Sequence, residues 1–405
     1  MTPVRKMLDI WPPLPIHISK SAYLHLHPET GADDLIAALE RRDRVFTINL
    51  SGLTLRQLER VAAVMQEPFP ALTRLHLGSA DEVAPALPVT FMGGSAPHLQ
   101  TLDLEGISFP TLPRLVLSPT DLTALRLHAI PSAGYISPGV MVEFLSPLTR
   151  LESLVIEFKF PLPPPGTTSR LLIPPTRTVL PALIYFVFKG NCEYLEDMVA
   201  QIDAPQFVNL EAVIFNQFIF SIPRLSHFIR RTETLKSLSQ VGLSFGTRHV
   251  LTKFSHSRHD RSLSLRILCS PSDWQLSSIV QLCGPPFPLP SNAERLEIDD
   301  ETVPPPKWQD DIEHDQWLEV LQPFTSVREL YLSARMWPRL VPTLKELTGE
   351  RTMDVLPMLC DLFLGGLKQS ESLPETTEPF VAARKLADRP VVVHRREGQG
   401  WKAIN

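Results

Sequence analysis

Only one stretch pairs residue types in a catalytic pattern: Gly242-Leu243-Ser244-Phe245-Gly246, a G-x-S-x-G. In a serine hydrolase that pattern needs a strained turn between a strand and a helix, which exposes the serine hydroxyl. Here Val241, Leu243 and Phe245 alternate with Gly242 and Ser244, the period of a plain strand. The hydrolase chain order also puts the acid before the histidine, whereas His249 and His256 precede Asp260. Ser244 is therefore expected to be an outward serine on a strand, with a serine hydrolase as the alternative function from another class.

Other clusters of chemistry-bearing residues read the same way. His256-Ser257-Arg258-His259-Asp260 holds ligand types, but Arg258 and Arg261 would repel a cation, so a solvated loop is expected. His25 and His27 share one face of an extended segment and lack the two further donors a zinc site requires. Asp299, Asp300 and Glu301, with Asp310, Asp311 and Glu313, do not make a calcium loop because Pro304–Pro306 intervene. Asp310 and Asp311 fit better as solvated charge at a helix start. Pro161–Pro165 could dock an aromatic groove, but a passive loop is the plainer reading in a chain with 40 prolines. No P-loop and no G-x-G-x-x-G occurs. No enzyme, cofactor or metal is expected.

The elements that carry these residues repeat. Leu99–Leu104 (LQTLDL) has apolar residues at its first, fourth and sixth places. The pattern recurs at Leu72–Leu77 (LTRLHL), Leu122–Leu127 (LTALRL) and Leu151–Ile156 (LESLVI), so successive starts lie 27, 23 and 29 residues apart. That is leucine-rich-repeat spacing, slightly stretched. A short parallel strand explains it: alternate side chains enter a shared core, and those between them face a concave, solvated surface. The predicted fold class is α/β, a leucine-rich-repeat solenoid with a curved parallel sheet on its concave face and helices and loops on its convex face. Residues 1–375 are read as one solenoid, with a proline-rich insertion near 160–181. Residues 376–405 are read as a cap of helix and strand with a frayed tail.

Helices are predicted at Asp33–Arg42, Leu55–Gln66, Asn191–Ile202, Pro223–Arg231, Ser272–Leu282, Asp311–Leu321, Trp337–Leu347 and Thr376–Leu386. Strands are predicted at Ile16–Ser19, Ala22–His27, Val45–Leu50, the four hexamers, Leu183–Phe188, Leu210–Phe215, Val241–Phe245, Leu263–Leu268, Ala293–Ile298, Val327–Leu332, Leu359–Leu364 and Val391–His394. All are expected to run parallel as rungs of one ribbon.

Bulk chemistry narrows the partners. A net charge of −5 without a long basic block excludes a nucleic-acid footprint. Nothing approaches 18 consecutive apolar residues, and the N-terminus has no uninterrupted apolar signal region, so neither a membrane span nor secretion is expected. Cys192, Cys269, Cys283 and Cys360 are scattered, which points to a reducing compartment, cytoplasmic or nuclear.

What remains is the strip between the core leucines. It offers Thr47, Asn49, Arg74, His76, Thr101, Asp103, Ala124 and Arg126, then Ser153, Val155, Tyr185, Val187, Ala212 and Ile214, and later Arg295, Glu297, Glu329, Tyr331, Asp361 and Phe363. Arg, His and Asp dominate early and apolar residues in the middle. Arg74, His76, Asp103, Arg126, Tyr185, Arg295 and Tyr331 are the binding candidates, since aromatic and Arg anchors dominate protein interfaces.

Several stretches are also familiar in wording: LDIWPPLPIHI, FPALTRLHL, FMGGSAPHLQTLDLEGISFPTLP, AGYISPGVMVEFLSPLTRLESLVIEF and TRTVLPALIYFVFKGNCEYLEDMVAQIDAP. They resemble the leucine-rich-repeat proteins of mushroom-forming fungi, many of which begin with an F-box. The resemblance runs over nearly the whole chain, is most specific at Phe91–Pro113 and Thr176–Pro205, and weakens after Leu251. It implies a substrate-recognition array of a cullin-type ubiquitin ligase, in which the F-box docks on the adaptor subunit. The F-box would precede LDIWPPLP, where this sequence has only Met1–Leu8, too few residues for that helical module. Adaptor docking is thus expected only if a missing N-terminal F-box exists, and the partner is otherwise an unknown protein.

Overall fold

The computed structural model describes residues 6–8, 14–20, 30–81, 85–109, 121–161, 176–215, 221–256, 259–269, 274–284, 287–300, 310–346, 354–366, 377–397 and 400–404. It is an α/β chain that divides into two compact units, Met1–Phe207 and Val208–Asn405.

The first unit is built on seven strands: β1 (Ile16–Lys20), β2 (Val45–Leu53), β3 (Arg74–Ser79), β4 (Thr101–Glu105), β5 (Ala124–Ile130), β6 (Ser153–Phe158) and β8 (Tyr185–Gly190). Each pairs in parallel with the next, in chain order. The repeating leucines set the register: Ile48, Leu75, Leu102, Leu125, Leu154 and Phe186 stand side by side and are at most 1% exposed. A one-residue slip would turn every one of them to solvent, so the apolar period locks the pairing.

Helices α1 (Thr30–Leu39), α2 (Leu55–Val64), α3 (Pro138–Leu145) and α4 (Cys192–Gln201) lie in the connections. Thr54 starts α2 with a reciprocal cap: its hydroxyl accepts from the Gln57 N–H while the Gln57 amide oxygen accepts from the Thr54 N–H. The helix then buries Leu58, Val61 and Ala62. In α3, Pro138 occupies the first turn, where a missing N–H costs nothing. A two-residue strand β7 (Thr178–Val179) ends the proline-rich insertion and pairs in parallel with β9 (Ile202–Asp203). The middle of that insertion, 162–175, the predicted strand at 22–27 with His25 and His27, and the prolines at 304–306 lie outside the described residues.

The second unit holds β10 (Asn209–Ile214), β11 (Gln240–Phe245), β12 (His249–His256), β13 (His259–Leu268), β14 (Arg295–Asp300), β15 (Glu329–Leu332), β16 (Asp361–Leu364), β17 (Val392–Glu397) and β18 (Gly400–Ala403). From β11 the order β14, β15, β16, β17 is again parallel. Helices α5 (Pro223–Arg231), α6 (Glu233–Lys236), α7 (Trp274–Cys283), α8 (Asp310–Leu321), α9 (Trp337–Glu346) and α10 (Glu378–Leu386) connect the strands, with α8 packed between α7 and α9.

Three expectations are corrected here. The rungs are not all parallel: β12 runs antiparallel to both β11 and β13, so β13, not β11, sits beside β10. A parallel partner needs a crossover of a dozen residues or more. Only three residues separate β11 from β12, and only two separate β12 from β13, so each turn must reverse the chain. That reversal also makes strand ends of His256 and His259, which pair across a bulge where a loop is predicted. Finally, the C-terminal residues predicted to fray form the antiparallel pair β17–β18.

Candidate functional site

The solvent-facing side of the first unit is a set of rows, because in-register strands stack equivalent positions. One row runs Thr47, Arg74, Thr101, Ala124, Ser153, Tyr185; the next runs Asn49, His76, Asp103, Arg126, Val155, Val187. Two of the binding candidates in these rows touch: His76 Nδ1 lies 3.2 Å from Asp103 Oδ1. Arg74 and Arg126 make no ion pair among the described residues, although Arg126 sits opposite Asp103. Tyr185 is exposed in the same row, four strand spacings from Arg74.

Two residues that join this pair escaped the sequence reading. His128 Nε2 lies 3.9 Å from the same Asp103 oxygen, and its Nδ1 is hydrogen-bonded to Glu157 Oε2 at 2.8 Å. His76, Asp103, His128 and Glu157 thus form a polar ladder across β3, β4, β5 and β6. The hydrogen bond to Glu157 raises the His128 pKa above its ordinary value, against the opposing effect of burial, and Asp103 adds to the rise. The same bond lowers the Glu157 pKa. The signal was present one step beyond the hexamer: the alternation carried to a seventh place reaches Glu105, His128 and Glu157.

In the second unit, Arg295 and Tyr331 come together as part of a larger stack. The Arg295 guanidinium lies 3.8 Å from the centre of the Tyr331 ring. Tyr331 stacks on Phe363 at 4.1 Å with 3° between planes, and Phe363 on His394 at 4.4 Å with 13°. The rings match because Tyr331, Phe363 and His394 occupy one register row on β15, β16 and β17, whose spacing of about 4.8 Å suits ring stacking. Trp401 on β18 meets Tyr331 and Phe363 edge-on, at 5.7 and 5.2 Å. Hydrogen bonds fix the rims: Tyr331 donates to Glu329 at 3.1 Å, and His394 Nε2 meets Asp361 Oδ1 at 2.7 Å. Desolvation under this cover pushes the Tyr331 phenol up to about 12.

Beside the stack lies a cavity of about 320 Å³, lined by Glu297, Asp299, Tyr331, Ser333, Arg396 and Trp401 among others. Gly365 and Gly366 are also part of the lining. Gly366 adopts φ +79°, and a Cβ there would fall 2.2 Å from the Ala334 side chain, so only glycine closes that corner.

Ala212 and Ile214 are corrected: both are buried, and Glu211 and Val213 take the outward positions on β10. LEAVIF is apolar at every place but one, so its period is ambiguous, and the charge of Glu211 decides which face meets water. Ser244 lies within β11, opposite Leu251 and Asp299, where the chain continues by a tight turn into β12 and not into a helix. The exposed-elbow geometry is not formed there. Among the described residues no group of three or more His, Cys, Asp or Glu side chains could hold a metal ion. No described helix is long and apolar enough to cross a membrane. Comparison with known protein families finds no family that matches this chain, and a search of the curated proteins finds no match.

Proposed function

We propose that the chain is a leucine-rich-repeat array of the F-box type that binds a protein through the solvent-facing side of its strands, without catalysis. One observation carries the reading: the parallel strands β3, β5 and β8 hold Arg74, Arg126 and Tyr185 outward, and the two arginines have no ion pair of their own among the described residues. Such cations and exposed aromatic rings are the anchors that protein interfaces use. The buried, unbridged thiols of Cys192, Cys269 and Cys283 fit a reducing compartment, and we place the protein in the cytoplasm or nucleus. In a form carrying an N-terminal F-box, the array would present its partner to a cullin-type ligase. A scaffold role unconnected with ubiquitination would use the same surface.

The test is residue-resolved cross-linking of a captured partner to the full chain. Cross-links are expected on the outward residues of β3–β8, and capture should fall in the Arg126→Glu and Tyr185→Ala variants while their melting temperatures hold. Cross-links confined to the helices, or capture indifferent to both substitutions, would overturn the reading. A fluorophosphonate probe should leave Ser244 unlabelled; labelling lost in Ser244→Ala would revive the hydrolase.

A further inference from the structure

We propose that the cavity beside the Arg295–Tyr331–Phe363–His394 stack binds an extended peptide carrying a basic side chain and, four residues further along, an acidic one. This names the partner chemistry for a second stretch of the surface assigned above, and it rests on that reading.

The fold leaves charges around this cavity without ion pairs among the described residues. Asp299 accepts the Asp300 N–H at 2.8 Å and forms no ion pair among the described residues. Glu297, beside it on the same face of β14, is more than half exposed and has only a long contact, 3.7 Å, with Arg295. On the opposite wall Arg396 of β17 is exposed and makes no ion pair among the described residues. Between these walls stand Tyr331 and Trp401, with Trp401 40% exposed. The Ser333 hydroxyl, which also lines the cavity, is buried and has no hydrogen-bond partner among the described residues. An occupant is therefore offered two carboxylates, an apolar aromatic middle, one hydroxyl and one guanidinium.

Geometry selects the class of occupant. β14 and β17 are three strand spacings apart, about 14 Å. A free amino acid holds its charges within a few bonds and cannot reach both walls. An extended peptide advances about 3.4 Å per residue and turns alternate side chains to the same face, so two residues four positions apart span the gap and both face the cavity. A polyamine would satisfy Glu297 and Asp299 but leave Arg396 without a counter-charge, and a nucleic acid would be repelled by the carboxylates. The residue midway between the two charges would lie on Tyr331 and Trp401, rings that contribute contact area at little entropic cost.

Fluorescence polarisation of a labelled, end-capped Arg-Ala-Tyr-Ala-Glu peptide against the full chain tests this, with Gln-Ala-Tyr-Ala-Glu, Arg-Ala-Tyr-Ala-Gln and Gln-Ala-Tyr-Ala-Gln as comparators. The doubly charged peptide should bind most tightly, and each single neutralisation should weaken it about three- to fivefold. The Glu297→Gln/Asp299→Asn double variant should erase the preference for Arg over Gln and keep the preference for Glu; Arg396→Gln should do the reverse. All of these are exposed strand positions, so folding is expected to survive and is checked by circular dichroism. Equal affinity for all four peptides, preferences that persist in both variants, or no binding at millimolar peptide would overturn the proposal. Cross-linking that still maps a partner to β3–β8 in such a case would show that the peptide site alone had failed. Loss of both results would remove the interaction reading with it.

Discussion

At the scale of single residues, the ladder on β3–β6 has a pH dependence whose sign follows from its hydrogen bonds. The bond to Glu157 raises the His128 pKa, so its stabilisation is complete below about pH 6.5 and is lost as pH rises through the raised value. Glu157 is lowered by the same bond, so its share is present above about pH 4.3 and is lost as pH falls through the lowered value. Together the two are worth most between about pH 4.3 and 6.5. Each side chain is about a third exposed, and solvent screening holds the pair to about 1 kcal/mol or less. Urea midpoints at pH 5.5 and 8.5 should therefore diverge more for the wild type than for His128→Gln; equal divergence would sink the assignment. The sequence made His76 and Asp103 visible because they fall inside the hexamer. It hid His128 and Glu157 because the run of leucines ends before the strand does. The aromatic stack was half legible for a related reason: Tyr331 and Phe363 stand in matching hexamers, but His394 and Trp401 join them through pairing with β17 and β18, which no local pattern encodes.

At the scale of elements, the departure from a uniform ribbon is the β11–β12–β13 meander, and α7 helps to hold it. Gln275 is fully buried; its amide nitrogen donates to the Gly246 carbonyl at 2.7 Å and the His249 carbonyl at 3.2 Å, on either side of the first turn. Gln275→Leu should leave the Gly246 carbonyl unsatisfied, the His249 carbonyl still accepting the Gly246 N–H, and cost about 1–3 kcal/mol in urea unfolding, with the turn amides losing exchange protection first. A cost near zero would mean that water serves the turn equally well. A second packing constraint lies at the end of β8, where a Cβ on Gly190 would fall 2.7 Å from Phe188 and 2.9 Å from Phe158. Gly190→Ala should therefore destabilise the first unit by about 1–3 kcal/mol through overpacking of that aromatic cluster, measured by the shift in urea midpoint. The helix at Pro223–Arg231 and the strands of the hexamers could be read directly, because capping, proline placement and apolar period all act within a few residues. Strand β12 could not be placed in the same way. Whether Val241–Phe245 and Leu263–Leu268 flank a third strand is decided by turn length and by which edge is free, both properties of the assembled sheet.

At the scale of the whole molecule, every strand depends on neighbours for burial, so damage should spread sideways through the sheet before it reaches distant rungs. Leu102 on β4 and Leu330 on β15 are both fully buried and hold equivalent places in their hexamers. Truncation to alanine should cost about 2–5 kcal/mol at either position, since a cavity there is lined by rigid strand neighbours. The two changes should differ in where the loss appears. Nearest-neighbour stacking predicts that Leu102→Ala lowers amide exchange protection chiefly in β3, β4 and β5, and Leu330→Ala chiefly in β14, β15 and β16. A single global core would instead lower protection evenly along all strands in both variants. That even loss would contradict the physical basis for reading the leucine spacing as stacked repeats, because the spacing matters only if each rung is stabilised by the rungs on either side. Localised losses in both variants would instead support a surface assembled rung by rung, on which the ladder of β3–β6 and the stack of β14–β17 can each be altered by substitution without unfolding the other.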